Sequence, residues 1–449
     1  MNLRDRVLSD ENIYAAIHAL SNTINEKTLI CGDQERYLNE LKEIYKYGAT
    51  HRELLHTCKN KLRKVLDAAT PQYFKVSFFL KIKNFNNGTA NYRPIHNCDI
   101  ETHVCLLSLL QVLCFEDDFS MGRRELSGLA QLIPNNFWGN QLSTKGNNIY
   151  KPWAPAYTSY VKKSIQKAKT YKKTQVYNNE INLDFKDFFP SINLGWLSNT
   201  IQNKLSLKYS NIDDTQTLKR ILELLLYFEI DSQETYNDWE LSIYYDKPTK
   251  FINNRRYFTR GLPQGLPHTY FLANIVMSEI EPHISKEFNG DCDFYVDDIV
   301  IFCNCEKSSL KDKIYNLNYI FSTSEINTTK YSSNNSIAKF QKEHFNVGVQ
   351  LHSGRKCSII DLSQDASFAS DNLALLYRNA SGISIEIKTS LSDTNDLTTL
   401  SEINAILEAI ERELDRLKQF ENELEFDVDD SITLYQKRIT SYYKYYTFR

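Results

Sequence analysis

The chain is 449 residues long, 42% of them hydrophobic, and carries a formal net charge of −3. A chain of this length can bury a large core and is expected to contain more than one structural unit. No apolar run approaches the roughly 20 residues that a membrane span needs, and charges stand where a signal peptide has its apolar core, so we expect a soluble, intracellular protein with no membrane partner.

The negative charge is concentrated near one end. Residues 393–430 contain thirteen acidic and three basic side chains, which gives this segment −10 and leaves +7 on the remainder. One basic run in the remainder is a candidate nucleic-acid-binding surface, because lysines neutralise phosphates and release counterions. A solvated helix face explains the run equally well. The run consists of Lys162, Lys163, Lys167, Lys169, Lys172 and Lys173.

In chain order, the apolar pattern predicts a helical beginning, a mixed centre and a helical end. Apolar residues recur at helical spacing before Pro71, so residues 1–90 are expected to be mainly α-helical. The nearly all-round apolar segment from Val104 to Leu113 predicts a buried helix. Strand and helix patterns mix from 174 to 362. Residues 400–417 place apolar side chains three and four apart, as in an amphipathic helix or short coiled coil.

Two acidic segments of the centre are candidates for chemistry. Polar residues alternate with Ile181, Leu183 and Phe185, so these three face a core and Asp184 projects from the opposite face of the strand. Strand-like runs flank Asp297-Asp298, which predicts a tight hairpin with two carboxylates at its turn. Each feature alone is ordinary, since Asp is common on strand surfaces and in turns. Carboxylates from separate strands can hold two divalent cations roughly 3.5–4 Å apart for nucleotidyl transfer, and magnesium is the expected ion.

A glycine-rich turn lies between the acidic segments and leads into a helical pattern. Such a turn lets the backbone approach a nucleotide or a template base. Taken together, the three segments resemble motifs A, B and C of reverse transcriptases, and the resemblance covers residues 90–360. The segments are Leu183-Asp184-Phe185-Lys186-Asp187-Phe188-Phe189-Pro190, Gly261-Leu262-Pro263-Gln264-Gly265 with Leu272-Ala273-Asn274, and Tyr295-Val296-Asp297-Asp298. Tyr92-Arg93-Pro94-Ile95 and Gly139-Asn140-Gln141-Leu142 are similar to fingers elements of the same family.

The resemblance implies a right-hand polymerase fold of the α+β class. Fingers and an antiparallel palm sheet would occupy residues 91–365, between a helical N-terminal region at 1–90 and a helical, thumb-like region at 366–449. It implies that Asp184, Asp297 and the carbonyl of Phe185 hold two Mg²⁺ ions, which Mn²⁺ can replace, with Asp298 in support.

Further roles follow from the same resemblance. Phe189 would clash with a ribose 2′-hydroxyl and so select deoxynucleotides. Lys356 resembles the motif D lysine that can protonate the departing pyrophosphate. The implied contacts with the substrate are completed by Arg93, Asp187, Phe188, Gln264, Gly265 and Tyr295.

The chain lacks the retron signatures and a terminal Cys/His endonuclease cluster. It resembles most the defence-associated, "unknown group" of bacterial reverse transcriptases, which the segments Phe188-Phe189-Pro190-Ser191-Ile192 and Tyr442-Tyr443-Lys444-Tyr445-Tyr446 also resemble. We therefore expect an RNA-directed DNA polymerase in the bacterial cytoplasm, acting in antiviral defence. Its partners would be a structured non-coding RNA as template, deoxynucleotides and the DNA product. The helix at 400–417 would pair with a second copy or another subunit.

Three alternatives stay open. The same acids would serve DNA synthesis without a template or from a protein primer, and the side chains Leu266 and His268-Thr269-Tyr270, where motif B has small residues, permit a loss of template contacts. An RNA polymerase with a similar palm is disfavoured by Phe189. A non-catalytic RNA-binding subunit is disfavoured by the complete set of acids.

Overall fold

A computed structural model describes most of the chain up to residue 362. The described residues are 1–25, 48–86, 89–116, 124–144, 148–230, 250–252, 255–258, 261–322, 326–330, 339–343, 346–352 and 357–362. Several sequence predictions lie outside them: the thumb-like region 366–449, the helix 400–417, Lys356, and the side chains of Arg93 and Lys162.

Helices dominate the first part of the chain and recur between strands later. In chain order they are α1 Leu3–Val7, α2 Asp10–Asn25, α3 Gly48–Leu66, α4 Ile100–Cys114, α5 Trp153–Thr174, α6 Phe188–Ser191, α7 Leu194–Leu205, α8 Ile212–Leu226, α9 Thr269–Phe288 and α10 Leu310–Ser322, with a short 3₁₀ helix at Gly128–Leu132. Among the described residues, none of the helices combines the length and the apolar composition that crossing a bilayer requires.

The strands form small sheets, and with the helices they give a mixed α and β architecture. The strands are β1 Lys75–Asn86, β2 Thr89–Asn97, β3 Asn179–Leu183, β4 Phe185–Lys186, β5 Phe228–Ile230, β6 Lys250–Ile252, β7 Arg255–Phe258, β8 Asp291–Tyr295, β9 Asp298–Cys303, β10 Ile326–Lys330, β11 Lys339–Glu343, β12 Gln350–Leu351 and β13 Ser358–Asp361. The described strands form four sheets, in which neighbouring strands are hydrogen-bonded. Their orders are β2-β1-β5-β7-β6, β13-β3-β9-β8, β12-β4 and β10-β11. The first strand begins before residue 90, so the helical pattern ends earlier than the sequence predicts.

The chain divides into two compact units that alternate along the sequence. Unit 1 comprises Met1–Lys151, Phe185–Ile284 and Ile314–Leu351, and unit 2 comprises Pro152–Asp184, Ser285–Lys313 and His352–Arg449. The four-stranded sheet belongs to unit 2, whereas the five-stranded sheet belongs to unit 1.

The centre of unit 1 is α4, the helix that the sequence predicts to be buried. Its residues from Thr102 to Cys114 are all buried, which confirms the prediction. The helix is capped at its N-terminus by Asp99, whose carboxylate accepts the Thr102 N–H at 2.6 Å and also lies 2.8 Å from the Lys61 ammonium of α3. A capping carboxylate of this kind satisfies a backbone donor that the first turn leaves without a partner. The apolar sequence and its polar start therefore fix this helix in the core.

The sheet of unit 2 is antiparallel throughout, and β3 pairs in it with both β9 and β13. Ile181 lies opposite Ile301 and Leu183 opposite Ile299, and all four side chains are buried on one face. This confirms the predicted core face of β3. The opposite face is also covered, because the polar residues Glu180 and Asn182 are buried there.

Candidate active site

The hairpin of β8 and β9 ends in a turn of two residues. Tyr295 pairs with Asp298, which leaves Val296 and Asp297 between the strands. Val296 has a φ of +56°, and Asp297 does not have a positive φ. This is the sign pattern of a type II′ turn, whose first central residue is usually glycine. A β-branched residue there is strained, at a cost of roughly 1–3 kcal/mol, so the tip of the hairpin is a conformation that the surrounding sheet must hold.

Asp184 directly follows β3, at the same end of the sheet. The pairing of Leu183 with Ile299, continued by one residue, sets Asp184 opposite Asp298, so both carboxylates project from one face. The carbonyl of Asp184 accepts the N–H of His352 at 2.9 Å, which fixes the backbone where the strand ends. The three side chains Asp184, Asp297 and Asp298 are half-buried. The predicted acids therefore meet at the ends of neighbouring strands within unit 2.

These three carboxylates have the chemistry of a site for hard divalent cations, which take oxygen ligands. Their half-buried position at the end of a sheet gives them access to solvent and to phosphate oxygens. Within the described residues, however, no three His, Cys, Asp or Glu side chains are already arranged as a metal site. The donor set fits such ions, and the side chains would have to turn towards them.

Helix α5 covers the acid-bearing face of this sheet. Tyr295, the residue before the turn, packs against two of its rings, with centroids 5.1 Å from Tyr157 and 5.6 Å from Tyr160. Burial raises the pKa of Tyr160 well above its ordinary value, and the nearby charge of Asp298 raises it further. The Tyr160 hydroxyl is therefore neutral beside the acids.

The basic run predicted to bind nucleic acid lies on α5, and its lysines do not share one environment. The ammonium of Lys167 lies 2.5 Å from Asp293 and 2.9 Å from Asp291, both on β8. Lys163, Lys169 and Lys173 are exposed, and Lys172 is half-buried. Lys167 thus has partners inside unit 2, while three other lysines of the run face solvent.

In unit 1, the residue predicted to select deoxynucleotides is held by the loop that precedes α9. The carbonyl of Phe189 accepts the Leu262 N–H at 2.8 Å, and Ile192 accepts that of Gly261 at 3.1 Å. Gly261 has a φ of +78°, and a Cβ there would lie 2.6 Å from Pro190. Segments A and B are therefore in direct contact, which requires a glycine at position 261.

The ring of Phe189 is 8% exposed and lies edge-on to Tyr270, with centroids 6.2 Å apart. Its neighbour Phe188 is fully enclosed and packs against Phe185 at 5.3 Å. Of the residues that differ from motif B, Leu266 and His268 are buried, and His268 bonds the Leu225 carbonyl at 2.8 Å. The unusual side chains after Gly265 therefore serve packing within unit 1.

Gln264 and Gly265 lie against β2, which carries the predicted fingers motif. The carbonyl of Gln264 accepts the backbone N–H of His96 at 2.7 Å and approaches Nδ1 of the same residue at 2.9 Å. Arg93 lies in the same strand, opposite Lys81. Asp187 is exposed at the start of α6, with a φ of +46°.

The contacts of three residues in this region, His96, Tyr157 and Tyr160, were not predicted from the sequence. His96 directly follows the Tyr92-Arg93-Pro94-Ile95 motif, but a single histidine in a strand has no spacing that would mark it. Tyr157 and Tyr160 stand three apart ahead of the lysines, so aromatic spacing on a helix was the available signal. Their contact with Tyr295 depends on long-range packing that periodicity does not encode.

Residues 82–332 match a protein family described as reverse transcriptase (RNA-dependent DNA polymerase). The match covers 251 of 449 residues and includes Asp184, Phe189, Gln264, Asp297 and Asp298. A comparison with curated proteins finds no significant match.

Proposed function

The chain belongs to the reverse transcriptase family, and on that premise we propose that it polymerises deoxynucleotides on an RNA template by two-metal nucleotidyl transfer. The observation that carries the proposal is the convergence of Asp184, Asp297 and Asp298 at one end of the β3–β9–β8 sheet, within the matched residues. Members of this family generally use divalent metal ions, and oxygen donors of this kind suit Mg²⁺, with Mn²⁺ as a substitute.

In this proposal Asp184, Asp297 and the carbonyl of Phe185 hold two ions, and Asp298 supports them. The ions, when bound, stabilise the charge that develops on the attacking 3′-oxygen and on the leaving pyrophosphate. The hairpin contributes its fixed turn, which keeps Asp297 at the tip of the sheet. Lys356 would donate a proton to the pyrophosphate, a role that rests on sequence alone.

Selection of the sugar is assigned to Phe189. Its backbone is held by the hydrogen bond from the Leu262 N–H to the Phe189 carbonyl, and its ring packs edge-on against Tyr270, so both the backbone and the ring have a fixed neighbour. A ring that cannot move aside excludes a 2′-hydroxyl sterically. Contacts with the incoming nucleotide or the template are assigned to Arg93, Asp187, Phe188, Gln264, Gly265 and Tyr295.

Binding of the RNA template is assigned to α5. Its exposed lysines suit phosphate contacts, because exposed ammonium groups exchange counterions for phosphates at low desolvation cost. The ion pairs of Lys167 with Asp291 and Asp293 argue against this role for Lys167. Lys162 and Lys172 stay in the proposal on sequence grounds.

The biological role that we propose is antiviral defence in a bacterium, with a structured non-coding RNA as template. Its support is the resemblance of the motif sequences and of Tyr442-Tyr443-Lys444-Tyr445-Tyr446 to the defence-associated group. In the same proposal, residues 366–449 form a thumb-like region whose helix 400–417 binds a second subunit. DNA synthesis without a template is the second candidate, because the residues after Gly265 serve packing in place of the usual small side chains. Sequencing of the product separates the two: copies of a supplied RNA support templating, and homopolymers or simple repeats oppose it.

The decisive experiment measures incorporation of deoxynucleotides onto a DNA primer annealed to an RNA template, with and without MgCl₂. Asp184→Asn and Asp297→Asn should each lower the rate by roughly 100- to 1,000-fold, because a lost metal ligand removes several kcal/mol of transition-state stabilisation. Asp312→Asn is the matched control, since Asp312 is exposed on α10. Incorporation that survives both substitutions would refute the proposal.

A further inference from the structure

The carbonyl of Gln264 is bonded twice by one residue. His96 donates its backbone N–H at 2.7 Å, and its ring nitrogen Nδ1 lies 2.9 Å from the same oxygen. A carbonyl oxygen only accepts, so Nδ1 must carry the proton and the ring is the Nδ1–H tautomer. Two donors from one residue fix both the position and the direction of this carbonyl.

His96 is itself held rigidly. Its side chain is 1% exposed, and its ring packs against Phe78 of β1 at a centroid distance of 6.3 Å. Burial lowers the pKa of His96 to about 3, although the hydrogen bond to Gln264 acts in the opposite direction. The ring is therefore neutral at neutral pH and keeps its proton on Nδ1.

The direction of the Gln264 carbonyl determines where the next N–H points. In a trans peptide the C=O and N–H point in opposite directions, so the N–H of Gly265 points away from β2. Gly265 has a φ of +111°, and a Cβ there would lie 2.6 Å from the His96 carbonyl. The close approach to His96 thus requires glycine, and the Gly265 N–H lies on the side of the peptide that faces away from β2.

Within the described part of the chain, the Gly265 N–H donates to no acceptor, although Gly265 is buried. A buried backbone donor without an acceptor costs free energy comparable to a lost hydrogen bond, so such groups are rare unless a ligand or water supplies the acceptor. This donor lies in the segment assigned to the nucleotide or the templating base.

We infer that His96 is a positioning residue for the nucleotide site: its two hydrogen bonds to the Gln264 carbonyl orient the Gly265 N–H as a donor to an acceptor atom of the incoming deoxynucleotide. The inference rests on the proposed polymerase function. The donor to the nucleotide is the Gly265 N–H, and His96 positions it. The ring of His96 acts through the Gln264–Gly265 peptide, and in this scheme it does not touch the substrate.

The test uses the full chain, a poly(rA) template with an oligo(dT) primer, and dTTP at varied concentration. His96→Leu removes the ring donor, whereas His96→Asn places an amide N–H at the position of Nδ1. His96→Leu should raise the KM for dTTP roughly three- to tenfold, the worth of one hydrogen bond, with kcat and the affinity for template–primer changed less. His96→Asn should stay within about twofold of the wild type, because its amide can restore the bond.

Equal KM values for His96→Leu and the wild type would overturn the inference, as would a His96→Asn variant as impaired as His96→Leu. A second measurement does not depend on the folding of a variant. Hydrogen exchange of the peptide containing Gly265 in wild-type protein should slow when dTTP is added to the template–primer complex, and unchanged exchange contradicts the inference. If the wild type incorporates no dTTP, the proposed function has failed, a result distinct from normal incorporation with an unaltered KM in His96→Leu.

Discussion

Replacing Lys167 by methionine should destabilise unit 2, because it removes the cation beside a buried carboxylate. Asp293 is 2% exposed, and its Oδ2 lies 2.5 Å from the Lys167 ammonium, which is itself 16% exposed. Removal of one partner from a buried ion pair typically costs about 3–5 kcal/mol, since the other charge stays desolvated. Asp291 is 31% exposed and lies within 2.9 Å, so water can compensate it in part, and we expect about 3 kcal/mol.

The measurement is urea denaturation of Lys167→Met, of Lys169→Met, and of Lys167→Met combined with Asp293→Asn. Lys169 is exposed two residues away on the same helix, so its substitution should change the free energy of unfolding by less than about 0.5 kcal/mol. The double variant should recover much of the loss, because the neutral amide is cheaper to bury than a carboxylate. If Lys167→Met is as mild as Lys169→Met, the ion pair does not contribute to stability.

The destabilisation caused by Lys167→Met should be constant near neutral pH. Burial lowers the pKa of Lys167, but Asp293 and Asp291 raise it by more, so it lies above its ordinary value. A group with a raised pKa contributes its full stability below the pKa of the unfolded chain, near 10.5, and loses it only as the pH rises through the folded value.

Three other predictions concern specificity, RNA binding and pH. Phe189→Ala should raise the ratio of ribonucleotide to deoxynucleotide kcat/KM roughly tenfold or more, measured with single nucleotides, and an unchanged ratio would contradict its assignment. Lys169→Gln with Lys173→Gln should weaken RNA binding and reduce the slope of log affinity against log salt by up to about 1.4 in anisotropy titrations; an unchanged slope would remove α5 from the RNA interface. Burial lowers the pKa of three histidines, His96, His103 and His268, from 6.5 to about 3 or 4. Between pH 7.5 and 5.5 the unfolded chain takes up protons at these residues and the folded chain does not, so each should lower the free energy of unfolding by up to about 1.4 kcal/mol. Urea midpoints that do not fall over this range would contradict the prediction.

Local pattern was sufficient to predict the elements that hold the acids. Alternation in β3 placed Ile181 and Leu183 in the core, because a strand with one apolar face has only one register that buries it. Strand-like runs around Asp297-Asp298 predicted the hairpin for the same reason. The all-round apolar run of α4 identified a buried helix, since no helix face was left for solvent.

Pattern failed where burial depends on a distant partner. Glu180 and Asn182 alternate with the apolar residues of β3 as a solvent-facing row would, yet both are buried, on the face of the sheet against which α5 packs. The run of lysines on α5 predicts one basic surface, but the spacing of basic residues does not indicate which of them meets a carboxylate over 120 residues away. The prediction of helix up to residue 90 is also wrong for β1, Lys75–Asn86, because the helical pattern ends before Pro71.

The face of the sheet that α5 covers explains both the position of the acids and the burial of the polar residues. The strand registers set three rows of residues across β3, β9 and β8. The first row is Asp184, Asp298 and Tyr295, the second is Asn182, Val300 and Asp293, and the third is Glu180, Phe302 and Asp291. Helix α5 crosses these rows, so Tyr160 contacts the first row, Lys167 the second and third, and Tyr171 the third. Tyr295, which precedes the β8–β9 turn, and the Lys167 ion pairs are therefore held by one helix. A change at Lys167 that loosens α5 should reach Tyr295 through Tyr160, and loss of activity in Lys167→Met would then follow loss of stability, without any loss of a phosphate contact.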